Sequence, residues 1–377
     1  MHPILDEVFA LLAKAPFPIV WFCDRWMMID ELRLPITMHV QHYASSTFEG
    51  IRAYRTPRGL AVIGLDQHLD RLFRSTKVLR MNRFNRIRVV NCGPERLKQV
   101  ILDAVAVNDD GQVDSLYIRP LFFYAVDPAT GFGLGVDAET IDVWVAVMVV
   151  PWGKYVGKHL RRGGAKLLVV NRDRPSAEMI DGSAKLSCGY GGWSVPAKLD
   201  ASWLQCSEAI FAPNGRVKDG TGQEFIVLVN RDGRETFQVL DAQQQNILPS
   251  ITKRFLFEGT LPPHCPPVEV VPELRISDCR RWSGAAIVGT ASEVTPVTRL
   301  VLADPNYEYI VGEVDVGTGR PHRKILELAE FYRRVVHGAY REYDQFRTMV
   351  PPREEALGRL EAAATERVCQ LLMSQVR

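Results

Sequence analysis

The sequence predicts an α+β protein of two domains, a small α/β domain at the N-terminus and a larger β-rich domain with helices. Three observations carry this. The chain has 377 residues, beyond the roughly 250–300 at which a single hydrophobic core usually stops growing. Its apolar residues fall into short β-branched and aromatic runs, separated by segments with helical spacing. One stretch rich in bases and glycine, PWGKYVGKHLRRGG, interrupts the apolar pattern between two such sets. The expected boundaries are 1–151 for the first domain, 152–162 for the linker and 163–377 for the second.

In order along the chain, IVWFCDRWMMI, STFEGIRAY and RGLAVIGL suit a pleated surface. In DQHLDRLFRSTKVLRM, Leu69, Leu72, Phe73 and Val78 recur at helical spacing. A second helix, PERLKQVILDAVAVN, precedes the strand SLYIRPLFFYAV. The run VWVAVMVV from Val143 is far too short to span a bilayer and reads as a fully buried strand. After the linker, AKLLVVN, EAIFAP, EFIVLVN, VEVVPEL and AAIVGTA are short strands spaced by turns. From about Asp344 the tail, with EEALGRLEAAATERVCQLLMSQ, reads as an amphipathic helix.

Composition removes several function classes. Lysine plus arginine total 46 against 44 acidic residues, so no global field draws in nucleic acid or an anionic membrane. The seven cysteines are scattered without a C-x-x-C pair, as in a cytoplasmic protein with reduced thiols. The first residues lack a basic n-region and carry Asp6 and Glu7, unlike a secretion signal. The dispersed histidines form no H-E-x-x-H, so no metal site is expected. GFGLG from Gly131 does not open a helix, and neither a phosphate loop nor a G-x-S-x-G elbow occurs. Hydride transfer, NTP hydrolysis and serine hydrolysis drop out.

What remains are short pieces with ordinary structural readings when taken singly. FEGIRAY could be an edge strand, HLDRL a solvated helix face, DGTG a hairpin turn, and Lys185 in GSAKLSCGYGGW an exposed charge. HLDRL nevertheless puts His68 and Arg71 on one helix face, and YIRPL puts Tyr117 and Arg119 on one side of a strand. ILPSITKR leads into a helix start, and VGTASEVTPV places a Gly-Thr-Ala turn after a strand. In order and spacing, from about residue 19 to 335, these pieces resemble the branched-chain amino-acid aminotransferases, pyridoxal-phosphate enzymes of fold type IV. That family carries FEGIR, H-x-x-RL, Y-I-RP, PWG-x-Y-x-G, AK before a glycine-rich tyrosine, E-G-x-G, GITR and GTAAEVTPV in this order.

The resemblance implies the D-amino-acid-aminotransferase-like fold, pyridoxal 5'-phosphate as cofactor, and a homodimer. Lys185 falls at the family's Schiff-base lysine, Tyr190 at the tyrosine on the cofactor's phenolate oxygen, and Asp219 at the carboxylate beside the pyridine nitrogen. Arg71 falls at the phosphate arginine and is expected to offer a bidentate fork, with the amides of Ile251 and Thr252 and the Thr290 hydroxyl completing the cradle. Thr290 and Ala291, assisted by Tyr117, correspond to the α-carboxylate site, and Arg119 with Tyr43 to the site for glutamate's distal carboxylate. Phe48, Tyr155 and Tyr190 correspond to an apolar wall. The implied reaction is ping-pong transamination between a branched-chain or other hydrophobic L-amino acid and 2-oxoglutarate.

The chain departs from the family pattern at named positions. Asp219 replaces a glutamate, Gly189 and Glu224 replace asparagines, and GITR has become Ser250-Ile251-Thr252-Lys253. The segment AVDPATGFGLGVDAET is longer than the family's loop and is expected to border the active site. Another type IV activity, a D-amino-acid or amine transaminase or an aminodeoxychorismate-type lyase, and a catalytically silent cofactor-binding role remain the alternatives.

Overall fold

The computed structural model describes residues 7–8, 10–12, 14–15, 17–83, 92–153, 163–257, 261 and 265–363. The expected strand near the N-terminus is a hairpin, β1 (Ile19–Phe22) and β2 (Arg25–Met28). Cys23 and Asp24 both adopt left-handed φ at its turn, 44° and 69°, which matches the twist of the two strands without a glycine. A short helix, α1 (His39–Tyr43), leads to β3 (Ser46–Phe48), β4 (Ile51–Thr56) and β5 (Gly59–Ile63). Helices α2 (Leu65–Val78) and α3 (Pro94–Asn108) follow, and then the long antiparallel pair β6 (Ser115–Tyr124) and β7 (Val143–Pro151).

These strands form one sheet in the order β5, β4, β6, β7, β1, β2, with β3 alongside β6. The face covered by α2 and α3 buries Ile51, Val62, Leu69, Leu72, Leu97, Ile101, Ile118 and Val147 in one cluster. Helical spacing selects the buried face of α2, and that face includes the polar His68, Arg71, Ser75 and Thr76 as well as its leucines. Burying charge costs several kcal/mol unless it is paired, so these polar groups require partners in the site.

The second sheet is built from β8 (Ala165–Val170), β9 (Glu208–Phe211), β10 (Glu224–Arg231), β11 (Arg234–Leu240), β12 (Val268–Val271), β13 (Trp282–Gly289), β14 (Glu293–Ala303) and β15 (Ile310–Asp315). Its order is β12, β11, β10, β13, β14, β8, β9, with β15 pairing β14. Helices α4 (Val195–Trp203), α5 (Ile251–Phe257) and α6 (Arg323–Val336) accompany it. Tyr54 and Ile63 of the first sheet share a core cluster with Ile226, Leu228 and Val288 of the second and with Leu328 and Val335 of α6. Arg52 donates to Glu293 at 2.6 Å and Tyr54 to the same oxygen at 3.0 Å, so β4 is also tied to β14 by polar bonds.

The C-terminal residues differ from the expected continuous helix. After α6, a strand β16 (Arg347–Met349) pairs with β5 and extends the first sheet. Pro351 and Pro352 end that strand, and helix resumes only over residues 353–363. There Ala356 packs with Ala106 and Val107 of α3, and Arg359 pairs with Asp103 at 2.6 Å. Residues in the span expected for the second domain thus pack on the first sheet. Most of the expected linker lies outside the described residues. No helix among the described residues is long and apolar enough to cross a membrane.

Candidate active site

Lys185 is fixed by its backbone. Its N–H donates to Ser75 Oγ of α2 at 2.9 Å, and its carbonyl accepts from Thr47 Oγ1 at 2.9 Å and from the Phe48 N–H at 3.3 Å. Thr47 also bridges Leu186 in antiparallel register, so the lysine segment lies against β3. With both backbone groups bound to neighbouring elements, the side chain has a defined root. Nζ donates to the Tyr190 hydroxyl and lies 5.0 Å from the centre of the Phe48 ring. Tyr190 opens a π-helical turn, Tyr190–Ser194, ahead of α4, a wide turn of the kind often found at functional sites. Beyond its own helix backbone and chain neighbours, a Cβ at Gly189, Gly191 or Gly192 would meet no atom of the described residues within 4 Å. Gly182 is the close-packed one, where a Cβ would come 2.0 Å from the Asn246 carbonyl oxygen.

Arg71 and His68 find their partner in Glu49, which follows β3 and is fully buried. Arg71 Nε donates to Glu49 Oε1 at 2.5 Å and Nη2 to Oε2 at 2.8 Å, while His68 Nδ1 lies 2.8 Å from Oε2. Burial alone would raise the Glu49 pKa, but the adjacent Arg71 and His68 outweigh it and hold the carboxyl far below its usual range. The bidentate fork expected to face a ligand is therefore taken by Glu49. Nη1 of Arg71 donates to the Pro249 carbonyl at 2.6 Å. Three of a guanidinium's five N–H donors are thus used, and two remain.

The Pro249 bond reaches the entry of α5, where hydrogen bonds decide which amides remain available. The Ser250 N–H donates to Glu224 Oε1 at 2.6 Å, and the Lys253 N–H to Ser250 Oγ at 3.1 Å. The amides of Ile251 and Thr252 have no partner among the described residues. These are the two amides assigned to the cradle by resemblance. Unpaired N–H groups at a helix start suit an anion.

Asp219 is buried in the turn that connects β9 to β10. Arg174 Nε donates to its Oδ1 at 2.7 Å, and Arg174 Nη2 to the Gly220 carbonyl at 3.0 Å. Burial raises the Asp219 pKa, and Arg174 offsets only part of that rise. The same turn is braced by Glu208, which is fully buried and accepts from Thr221 Oγ1 at 2.7 Å, Gln223 Nε2 at 3.1 Å and Lys198 Nζ at 3.0 Å.

Tyr117 and Arg119 project from the same side of β6, and Arg119 Nη2 donates to the Tyr117 hydroxyl at 2.8 Å. The guanidinium lies 4.4 Å from the centre of the Phe48 ring, and Tyr117 stacks on Trp152 with ring centres 4.4 Å apart. Arg119 Nε is buried without a hydrogen-bond partner among the described residues. A buried donor left unpaired costs about 1–3 kcal/mol, so this side chain is prepared for an acceptor.

All these elements meet at a cavity of about 400 Å³. Lys185, Arg71, Tyr190, Asp219, Ile251, Thr290, Phe48, Tyr117, Arg119 and Ala291 line it. Two expected residues do not. Tyr43 is 40% exposed and donates to the Leu134 carbonyl at 3.3 Å. The buried Thr252 faces the core beside Tyr332 and can contribute its amide only. Tyr155 lies outside the described residues. The segment 125–140, expected to border the site, contributes nothing to the lining. It packs against the start of α1, where the Gly133 N–H donates to the Thr37 carbonyl at 2.8 Å, an approach open to glycine because a Cβ would meet the His39 nitrogen at 2.6 Å.

Arg174, Glu208 and the pairing role of Glu49 escaped the sequence reading. Glu49 stands inside FEGIRAY, and Arg174 in the charged run NRDRP immediately after a buried strand. That run was the available signal. The donor set fits pyridoxal phosphate. A reactive amine, a carboxylate with a neighbouring hydroxyl-bearing ring, two open amides and a guanidinium with spare donors share one cavity.

No protein-family model matches the chain. The chain is similar to the branched-chain-amino-acid aminotransferase of Pseudomonas aeruginosa, 26% identical over 342 residues, with 88% of this chain and 97% of the relative covered. It is 28% identical to the Escherichia coli K12 protein of the same name, over 83% of this chain and 91% of the relative. Its fold matches the crystal structure of the T.th. branched-chain amino acid aminotransferase with pyridoxamine 5'-phosphate, with a TM-score of 0.71 and 27% identity over 88% of this chain and 98% of that one. The resemblance read from the motifs and the type IV α+β fold are borne out.

Proposed function

We propose that this chain, a pyridoxal-phosphate-dependent aminotransferase similar to the branched-chain enzymes, transfers the amino group of a branched-chain or other hydrophobic L-amino acid to 2-oxoglutarate in two half-reactions of a ping-pong cycle. The observation that carries this reading is the meeting of Lys185, Tyr190, Asp219 and the open amides of α5 at one cavity.

Bound pyridoxal phosphate supplies an aldehyde that condenses with amines and a ring that accepts electron density. The residues divide the remaining work. The two spare donors of Arg71, the amides of Ile251 and Thr252 and the Thr290 hydroxyl hold the phosphate. Asp219 keeps the ring nitrogen protonated, and Arg174 keeps Asp219 oriented. Tyr190 fixes the ring's oxygen edge and positions Lys185 Nζ. That amine anchors the cofactor and, once released, takes the proton from the substrate Cα. The amides at Thr290 and Ala291, with Tyr117, hold the substrate α-carboxylate. Arg119 turns its unpaired Nε to a distal carboxylate, while Phe48 and Tyr190 present the apolar face that accepts a branched side chain. Tyr43 has no part in this assignment.

The second copy of a homodimer belongs to the same reading. Exposed Ile36, Phe132, Leu134 and Val136 give it an apolar surface to cover, and light scattering of the purified protein measures it.

The test is borohydride reduction of the purified, yellow protein followed by peptide mapping, with an amino-donor screen against 2-oxoglutarate. A pyridoxyl group on Lys185 and turnover with leucine, isoleucine or valine are expected. An unmodified Lys185 peptide, or cofactor without any amino transfer, overturns the reading.

A further inference from the structure

Glu224 is an anionic side chain in an unexpected place. It stands at the start of β10, is 3% exposed and lines the cavity beside the amides of α5. A buried carboxylate there opposes any anion those amides would attract. Its two oxygens are both engaged, however, Oε1 by the Ser250 N–H at 2.6 Å and Oε2 by the ammonium of Lys253. Lys253 sits on the first turn of α5, and its Nζ also donates to the Leu240 carbonyl at 3.1 Å. Arg71 also holds this turn, through the Pro249 carbonyl.

We propose that Glu224 and Lys253 form a neutralised clamp that positions the Pro249–Ile251 turn for the cofactor's phosphate, and that the lysine is needed there because the carboxylate is present. The clamp rests on the cofactor assignment above. Glu224 takes the Ser250 amide, so the phosphate receives the next two. Lys253 cancels the carboxylate's charge without entering the cavity lining. Removing one partner of a buried pair strands a charge, whereas replacing both by uncharged groups is often neutral. The two positions therefore act as one unit, and their effects on phosphate affinity are strongly non-additive.

Equilibrium binding of pyridoxal phosphate and of unphosphorylated pyridoxal to the full chain, read by absorbance, tests the clamp. Lys253→Met is expected to weaken pyridoxal phosphate by more than about tenfold and pyridoxal by less than about threefold, since only the former meets the stranded carboxylate. Glu224→Gln alone, which keeps an acceptor for Ser250, binds the phosphate form no more weakly than the parent. The double variant returns to within about threefold of the parent. Equal weakening of both ligands in Lys253→Met, a double variant as weak as that single one, or a phosphate-specific loss in Glu224→Gln overturns the clamp. If the parent chain binds neither ligand, the cofactor assignment itself fails.

Discussion

Arg174 holds Asp219 and the turn that carries it with one side chain, reaching the carboxylate at 2.7 Å and the Gly220 carbonyl at 3.0 Å. The Asp219 pKa nevertheless stays raised by burial. A carboxyl whose folded-state pKa is raised contributes stability that is complete below the ordinary carboxylate range and is lost as pH rises through the raised value. Arg174→Met removes the group that opposes the rise, so the cofactor-free protein should lose stability more steeply from about pH 4 upward. At neutral pH the loss should be about 3–5 kcal/mol. Thermal melts across pH measure this, and Asp219→Asn in the Arg174→Met background should flatten the curve. Parallel curves for parent and Arg174→Met would show that the pair does not set the titration.

Glu49 behaves in the opposite sense. Its pKa is depressed by Arg71 and His68, so its stabilisation is present above the unfolded carboxylate value and lost as pH falls toward the folded one. Glu49→Gln should destabilise the protein at neutral pH by about 3–5 kcal/mol, because Arg71 loses a bidentate partner while still buried. The variant should also show a shallower loss of stability below about pH 4. Acid-induced unfolding followed by circular dichroism distinguishes it from the parent.

Gly50 has no room for a side chain. A Cβ there would lie 2.1 Å from the Tyr117 hydroxyl, which also accepts from Arg119. Gly50→Ala should therefore displace Tyr117, lowering amino transfer at least about tenfold if the α-carboxylate site is disturbed by an ångström. Adding Tyr117→Phe, which removes the clashing oxygen, should restore folding stability in part and leave the carboxylate contact absent. Rates and melting temperatures of the three variants separate the two effects.

In the proposed assignment, Arg119 Nε, which has no hydrogen-bond partner among the described residues, meets the distal carboxylate of glutamate. Arg119→Met is expected to slow the glutamate half-reaction by about 100-fold or more and the leucine half-reaction by less than about tenfold, since a charge-assisted bond is lost only in the first. Stopped-flow absorbance of each half-reaction provides the comparison. Equal losses would assign the arginine to packing against Phe48 instead.

Strand and helix identity was legible where a single periodicity governs a segment, as in VWVAVMVV, or in α2, where Leu69 and Leu72 mark the buried face. The family resemblance carried by the motifs located ten cavity-lining residues, while spacing alone placed only His68 with Arg71 on a helix face and Tyr117 with Arg119 on one side of a strand. Long-range pairing was not legible. Nothing local in NRDRP says that Arg174 will meet Asp219, 45 positions later, or that Arg71 will spend its fork on Glu49. The 125–140 segment was expected to border the cavity because it is longer than the family's loop, whereas it packs against His39 through Gly133. The helix that the tail's leucines predicted is present over residues 353–363, but the edge of β5 and two prolines take the stretch before it out of helix.

That edge has a consequence for the order of synthesis. The first sheet, begun by residue 19, is not complete until Arg347–Met349 takes its place beside β5, and Phe346 alone supplies the carbonyl that the Gly64 N–H meets at 2.8 Å at the mouth of α2. A ribosome making the chain at about 5–20 residues per second has released the lysine, the arginine and the aspartate of the cavity well before that strand emerges. The helix that carries Arg71 waits for this support until Phe346 has been made, so the nascent protein should acquire the cofactor late.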